Sequence, residues 1–158
     1  MAKRGFALVI MLAGSLYSPD VSARDSLIRI AVSDLRAQGV EPGLASTMTD
    51  VFVYEVSRLS GLAVLGNVDI RASIKHQTLK NQLGCDENCW IQMAKSVDSD
   101  FLVHGSLGMV ASTPNLTLTL IDIKKGEVTK RHRQELLGDS DAVFAAVRVS
   151  ARQLLPRG

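Results

Sequence analysis

Hydrophobic residues recur along this chain with two different periods, and the change between them falls near residue 100. Leu27-Ile28-Arg29-Ile30-Ala31-Val32-Ser33 is a β-branched run ending at Asp34, the pattern of a largely buried strand. A turn rich in Gly39, Pro42 and Gly43 follows. Between Leu44 and Leu59, helical spacing relates Leu44, Met48, Val51, Phe52, Glu55, Val56 and Leu59; all but Glu55 are apolar, so one stripe of this helix faces a core. Gly61 stops the helix, and Leu62-Ala63-Val64-Leu65 predicts a short second strand. Asn67 or Asp69 can cap a further helix that turns Ile70 and Ile74 inward, with Leu79 at its margin, and Arg71, Lys75, His76 and Lys80 to water. It ends near Gly84. A short helix from about Asn88 to Val97 comes next, with Trp90, Ile91 and Ala94 as its buried face.

Beyond residue 100 the period shortens to two. Phe101 to Val110 reads as a strand, Pro114-Asn115 as the turn, and Leu116 to Ile123 as a second strand with Leu116, Leu118 and Leu120 on one face and Thr117 and Thr119 on the other. Lys125-Gly126 turns the chain into a third strand from Glu127 to Leu136, which makes an antiparallel meander. Gly138 leads into a last helix capped by Asp139 or Ser140, with Val143, Phe144, Val147, Ala151 and Leu154 as its apolar stripe and Pro156 as its end. The order of elements predicts an α/β (α+β) fold: a single mixed sheet of about five strands, with an antiparallel C-terminal meander, packed by helices.

The N-terminus changes where this domain is expected to work. Lys3 and Arg4 precede an apolar run from Gly5 to Leu16, and Val21-Ser22-Ala23 supplies the small residues that a signal peptidase reads. Residues 1–23 are therefore expected to be a cleaved signal peptide, leaving 24–158 as a single α/β domain in the periplasm. The apolar run is shorter than the roughly 20 residues of a membrane-spanning helix, and no membrane span is expected in the mature chain. Loss of Lys3, Arg4 and Asp20 takes the formal charge from +2 to +1. That balance argues against nucleic acid as a partner, since phosphate binding needs a basic face. The one dense basic cluster, Lys124, Lys125, Lys130, Arg131, His132 and Arg133, falls on the predicted last hairpin, where strand alternation splits it between two faces.

Candidate chemistry centres on Cys85 and Cys89 in Leu83-Gly84-Cys85-Asp86-Glu87-Asn88-Cys89-Trp90. In an oxidising compartment two cysteines four positions apart can close a structural disulfide at the entry to the Trp90 helix, where Asp86, Glu87 and Asn88 suit a helix start. The alternative is a small thiol-based copper-binding or redox protein, in which two soft thiolates join His76, His104 or His132 around Cu(I). Asp86 and Glu87 oppose that reading because reactive thiols need basic neighbours. Each histidine by itself reads as a satisfied or solvated side chain. No Ser-His-Asp order, paired-carboxylate motif or phosphate loop is present, and Gly105-Ser106-Leu107-Gly108 is a poor nucleophile elbow because a strand continues where a helix should begin. No catalytic residue and no cofactor are expected. Asn115-Leu116-Thr117 is a glycosylation sequon whose use depends on the host.

Several segments together carry a resemblance. The exported start, Ile30-Ala31-Val32-Ser33-Asp34-Leu35, Asp69-Ile70, Phe101-Leu102-Val103-His104-Gly105-Ser106 and Leu118-Thr119-Leu120-Ile121-Asp122-Ile123-Lys124-Lys125-Gly126-Glu127-Val128 resemble the group containing TolB N-terminal domains, the curli secretion protein CsgG and the lipoprotein LpoB. The resemblance spans nearly all of the mature chain and implies a TolB N-terminal-like envelope domain that works by contacting other proteins. The chain departs from the group in lacking a propeller, a lipid-bearing cysteine near the cleavage site and long amphipathic hairpins. The resemblance therefore implies a non-enzymatic, exported interaction or accessory module with cell-envelope proteins as partners, and it brings no site residue with it. The exposed edge of the last strand, Glu127 to Leu136, is a place where a partner strand can add, and its basic residues can equally discourage pairing.

Overall fold

A computed structural model describes residues 27–73 and 87–156 of the chain. The elements are β1 (Ile28–Val32), β2 (Arg36–Gln38), α1 (Pro42–Ser57), β3 (Leu62–Leu65), α2 (Asn67–Ser73), α3 (Glu87–Ser96), β4 (Phe101–Val110), β5 (Thr113–Asp122), β6 (Glu127–Glu135) and α4 (Ser140–Leu154). One mixed sheet runs in the order β3-β1-β4-β5-β6, parallel at β3-β1-β4 and antiparallel through the β4-β5-β6 meander. The expected fold class is the observed one. The signal segment 1–23, the part of the expected helix that carries Ile74, His76 and Leu79, and Cys85 lie outside the described residues.

A sixth strand, β2, falls where the sequence reads as a turn. It pairs in parallel with β4 at Arg36↔Ser106, Ala37↔Leu107 and Gln38↔Gly108, beyond the register Ile30↔Phe101 to Val32↔Val103 that β1 makes with the same strand. β1 and β2 are thus one path along β4, broken at Ser33, Asp34 and Leu35. The break is held at both ends: the Ser33 amide donates to the Val103 carbonyl and the Leu35 amide to Thr49 Oγ1 on α1, each at 3.0 Å. Three residues are too few for periodicity to declare a strand, so only pairing with β4 reveals it.

Helices cover both faces of the sheet, and each covered region has its own core. On one face Ile30, Val32, Leu62, Val103, Leu107, Leu116, Leu118 and Leu120 meet Ala45, Met48, Phe52 and Val56 of α1 and Val147, Ala151 and Leu154 of α4. On the other, Ala31, Leu102, Ile121 and Ile123 meet Ile70 of α2 and Trp90, Met93, Ala94 and Val97 of α3. Burying each large aliphatic or aromatic side chain contributes about 1.5–3 kcal/mol, which makes the first core the principal source of cohesion.

Three expectations about buried stripes need correction. Leu44 and Phe144 remain 43% and 39% exposed, because each helix turns a neighbouring column inward: Ala45, Met48, Thr49, Phe52, Glu55 and Val56 in α1, and Val147, Ser150, Ala151 and Leu154 in α4. In α3, Met93 is buried where Ile91 was expected, and Ile91 is only half-buried. The β4-β5 turn is also displaced. Val110 pairs with Thr113, so the turn is Ala111-Ser112, with Ala111 in the left-handed region at φ 53°, and Pro114 lies within β5 opposite Met109. Helix ends follow the expected chemistry. Asp139 accepts from the Ala142 amide at 3.0 Å to cap α4, while Asp69 reaches back to accept the Gly66 amide at 3.0 Å, the reciprocal half of a capping box.

Candidate interaction surface

Half of the second sheet face carries polar side chains where α2 and α3 cover apolar ones. Its residues fall into cross-strand rows: Arg36, Ser106, Thr117 and Arg133; His104, Thr119 and Arg131; Gln38, Gly108, Asn115 and Glu135. Arg36, Gln38, Thr117, Arg131, Arg133 and Glu135 are exposed. The cause is compositional. Leu102 and Ile121 attract the apolar side of α3, whereas from two positions along each strand the same face offers imidazole, hydroxyl, amide, guanidinium and carboxylate groups and a glycine, polar groups that lose hydration if a helix lands on them. Arg133 Nε donates to Asn115 Oδ1 at 3.1 Å, so the side chains within this face hold one another in place.

The face ends at β6, a nine-residue strand at the edge of the sheet. A bulge between Leu120 and Ile121 sets which way β6 points: Ile121 pairs with Val128, Leu120 pairs with Lys130, and the extra residue Thr129 donates from Oγ1 to the Leu120 carbonyl at 3.2 Å. The register shift puts Lys130 and His132 under α4, where Lys130 Nζ donates to the Gln153 carbonyl and His132 Nε2 lies 3.1 Å from Ser150 Oγ. Arg131 and Arg133 emerge on the open face. The basic cluster seen in the sequence is therefore divided between the two faces, as strand alternation requires.

Where the open face meets α3, Ser33 Oγ lies 3.1 Å from His104 Nδ1, with both side chains buried. Burial, reinforced by the Arg36 charge, pushes the His104 pKa below its usual range, and Glu87 opposes this weakly. The pair is a structural hydrogen bond. Ser33 is 1% exposed, leaving no room for a substrate at its hydroxyl, and Ser106 sits inside a continuous strand. Burial and the Lys130 charge likewise lower the His132 pKa. Each described histidine thus has a serine partner, and among the described residues no group of three or more His, Cys, Asp or Glu is placed to hold a metal ion. Cys89 is half-buried in the first turns of α3, against the core formed by Trp90 and Met93. The sequence does not mark Arg36 and Gln38 as site residues, because so short a segment before Gly39 reads as part of the turn; the alternation Arg36-Ala37-Gln38 is the one trace of the strand.

The opposite layer holds the ion pair that explains Glu55. Its carboxylate, 5% exposed in the apolar stripe of α1, accepts from Arg148 Nε at 2.9 Å and Nη2 at 3.2 Å. That bidentate bond lowers the Glu55 pKa against the upward push of burial, and the charges of Arg148, Arg58 and Arg152 lower it further. Arg58, Leu59, Arg148 and Arg152 surround it around a cavity of about 140 Å³.

No protein-family model matches the chain, and no curated protein matches it. Solved structures do. The LpoB C-terminal domain from Escherichia coli is 12% identical with a TM-score of 0.56, over 73% of this chain and 87% of that one. A lipoprotein from Neisseria meningitidis is 12% identical with a TM-score of 0.57, over 80% of this chain and 95% of that one. A PelC dodecamer from Paraburkholderia phytofirmans is 14% identical with a TM-score of 0.53, over 82% of this chain and 89% of that one. At these identities the likeness is one of fold: the chain shares the α/β fold of the LpoB C-terminal domain and of these other structures. These matches add nothing for the CsgG part of the resemblance.

Proposed function

We propose that this LpoB-like fold serves as an exported, non-enzymatic accessory module of the cell envelope, and that it binds a protein partner through the open sheet face and the β6 edge. The observation that carries the reading is the pairing of an exposed polar half-face with a nine-residue edge strand whose outward residues include Arg131 and Arg133. An edge strand offers main-chain donors and acceptors to an added strand, and arginines on its open face select carboxylates opposite them. The same arginines disfavour pairing between two copies, because like charges would then stand opposite each other. The apolar run and Ala23 site at the N-terminus support export, and the buried, serine-bonded His104 supports a role without catalysis.

A photo-crosslinker placed at Thr117 is expected to capture one envelope protein in living cells, and the R131E variant is expected to lose that capture while retaining its melting temperature. Capture that persists undiminished in the variant, or that is the same from a crosslinker at Asp50 on the opposite layer, would sink the reading. The two-thiol alternative has no assembled set of ligands to support it among the described residues.

The same setting makes Cys85 and Cys89 a local staple ahead of α3. On the loop-entropy argument a disulfide closing so short a ring is worth about 2 kcal/mol. C85S/C89S is expected to lower the melting temperature measurably and to leave partner capture intact; loss of capture at unchanged stability would assign the cysteines to the site instead.

A further inference from the structure

The α1/α4 layer, on the side of the sheet opposite the open face, carries a positive surface that partner binding leaves unused. Arg148 alone satisfies the buried Glu55 carboxylate, yet Arg58 and Arg152 line the same cavity of about 140 Å³. Three guanidinium groups around one carboxylate leave two positive charges in excess. Crowding them is unfavourable, and one of the three is enough to bond the carboxylate directly. Arg152 also lines an adjoining depression of about 360 Å³ with Lys130, His132, Gln153 and Leu155, which extends the positive surface along the end of α4.

Apolar side chains are interleaved with these cations at helical spacing. On α1, Tyr54 is 58% exposed with the Arg58 guanidinium 5.7 Å from its ring centre. On α4, Phe144, Arg148 and Arg152 stand at successive i,i+4 positions, with Phe144 39% and Val149 43% exposed. Asp50 and Asp141 lie in earlier turns of the two helices, so the positive end is their C-terminal half. Arginines alternating with an aromatic and aliphatic fringe on the outside of a helix pair match a plane of phosphates above acyl chains: the guanidinium groups meet phosphate, and the rings rest at headgroup depth.

We infer that the C-terminal half of the α1/α4 layer docks on an anionic phospholipid membrane, with a lipid phosphate seated in the cavity between Arg58 and Arg152. This goes beyond the partner reading and does not rest on it. Docked this way, the chain turns its open sheet face away from the bilayer.

Flotation of the full chain with vesicles of equal phosphatidylglycerol and phosphatidylcholine tests the inference, with pure phosphatidylcholine vesicles and inorganic phosphate as separate arms. Binding to the anionic vesicles is expected, weakening as salt rises. The R58Q/R152Q variant, which spares the direct Glu55–Arg148 bonds, is expected to bind them about 25-fold more weakly, at roughly five-fold per arginine. Y54S is expected to weaken binding without changing its salt dependence. Equal binding of wild type and R58Q/R152Q, equal binding to pure phosphatidylcholine, or saturation by inorganic phosphate without vesicle binding would each overturn it.

Discussion

Gly105→Ala is expected to destabilise the fold by about 3 kcal/mol or more, the largest loss from any change of a single methyl group here. Gly105 lies inside β4 opposite Leu118, and a Cβ built on it would stand 2.4 Å from the Thr117 carbonyl oxygen, 2.9 Å from Leu35 Cδ2 and 3.0 Å from Leu118 Cδ2. The leucine methyls can move a little. The carbonyl cannot, because it belongs to the β5 backbone within the meander, and displacing it disturbs the pairing of β5 with β4. Leu35, which packs over the glycine, also fixes the break between β1 and β2 through its amide bond to Thr49. The substitution therefore acts on the core and on the open face together. Urea denaturation checks the size of the loss, and a midpoint within experimental error of wild type would show that the strands separate more easily than this packing implies.

Arg148→Met is expected to lower stability near neutral pH, by less than the loss of one partner from a fully buried pair because Arg148 is partly exposed. The cost comes from Glu55, whose carboxylate is left in an apolar stripe without its bidentate donor. Its pH dependence gives a sharper test than its size. In the wild type the folded-state pKa of Glu55 lies below the ordinary value of 4.5, chiefly through the Arg148 hydrogen bonds. The pair's contribution is thus present above 4.5 and is lost as pH falls through the lowered folded value. In the variant, burial is opposed only by the Arg58 and Arg152 charges, so the Glu55 pKa rises above its wild-type value. The variant therefore gives up less stability than the wild type as pH falls, and the gap between the two proteins narrows in acid. Parallel denaturation curves whose separation does not change between acid and neutral pH would contradict this account.

The surface proposed for partner binding was only partly legible in the sequence. Thr117 and Thr119 opposite Leu116, Leu118 and Leu120 announce a strand with one polar face, and the split of Lys130, Arg131, His132 and Arg133 follows from alternation alone. The bulge at Leu120/Ile121 decides which half of the split goes where. It has no signature of its own, because Thr129 is an unremarkable strand residue until it lies opposite the Leu120 carbonyl. Arg36 and Gln38 join the face only because β2 continues the line of β1 along β4. Glu55 stood out in the sequence as a charge on an apolar stripe, and its partner, 93 residues away, did not.

By itself the sequence determined five of the six strands, the helices among the described residues, the change of period near residue 100 and the fold class, and it raises the expectation of an export signal in residues 1–23, because these depend on local spacing, capping and composition. Cys85 and Cys89 likewise owe the staple proposed for them to their own neighbours. Only the tertiary structure decided the sixth strand, the half-face left open, the Glu55–Arg148 pair and the grouping of Arg58 with Arg152. Each of these joins residues far apart in the chain, and their partners are chosen by sheet register and helix packing, which no local window of sequence contains.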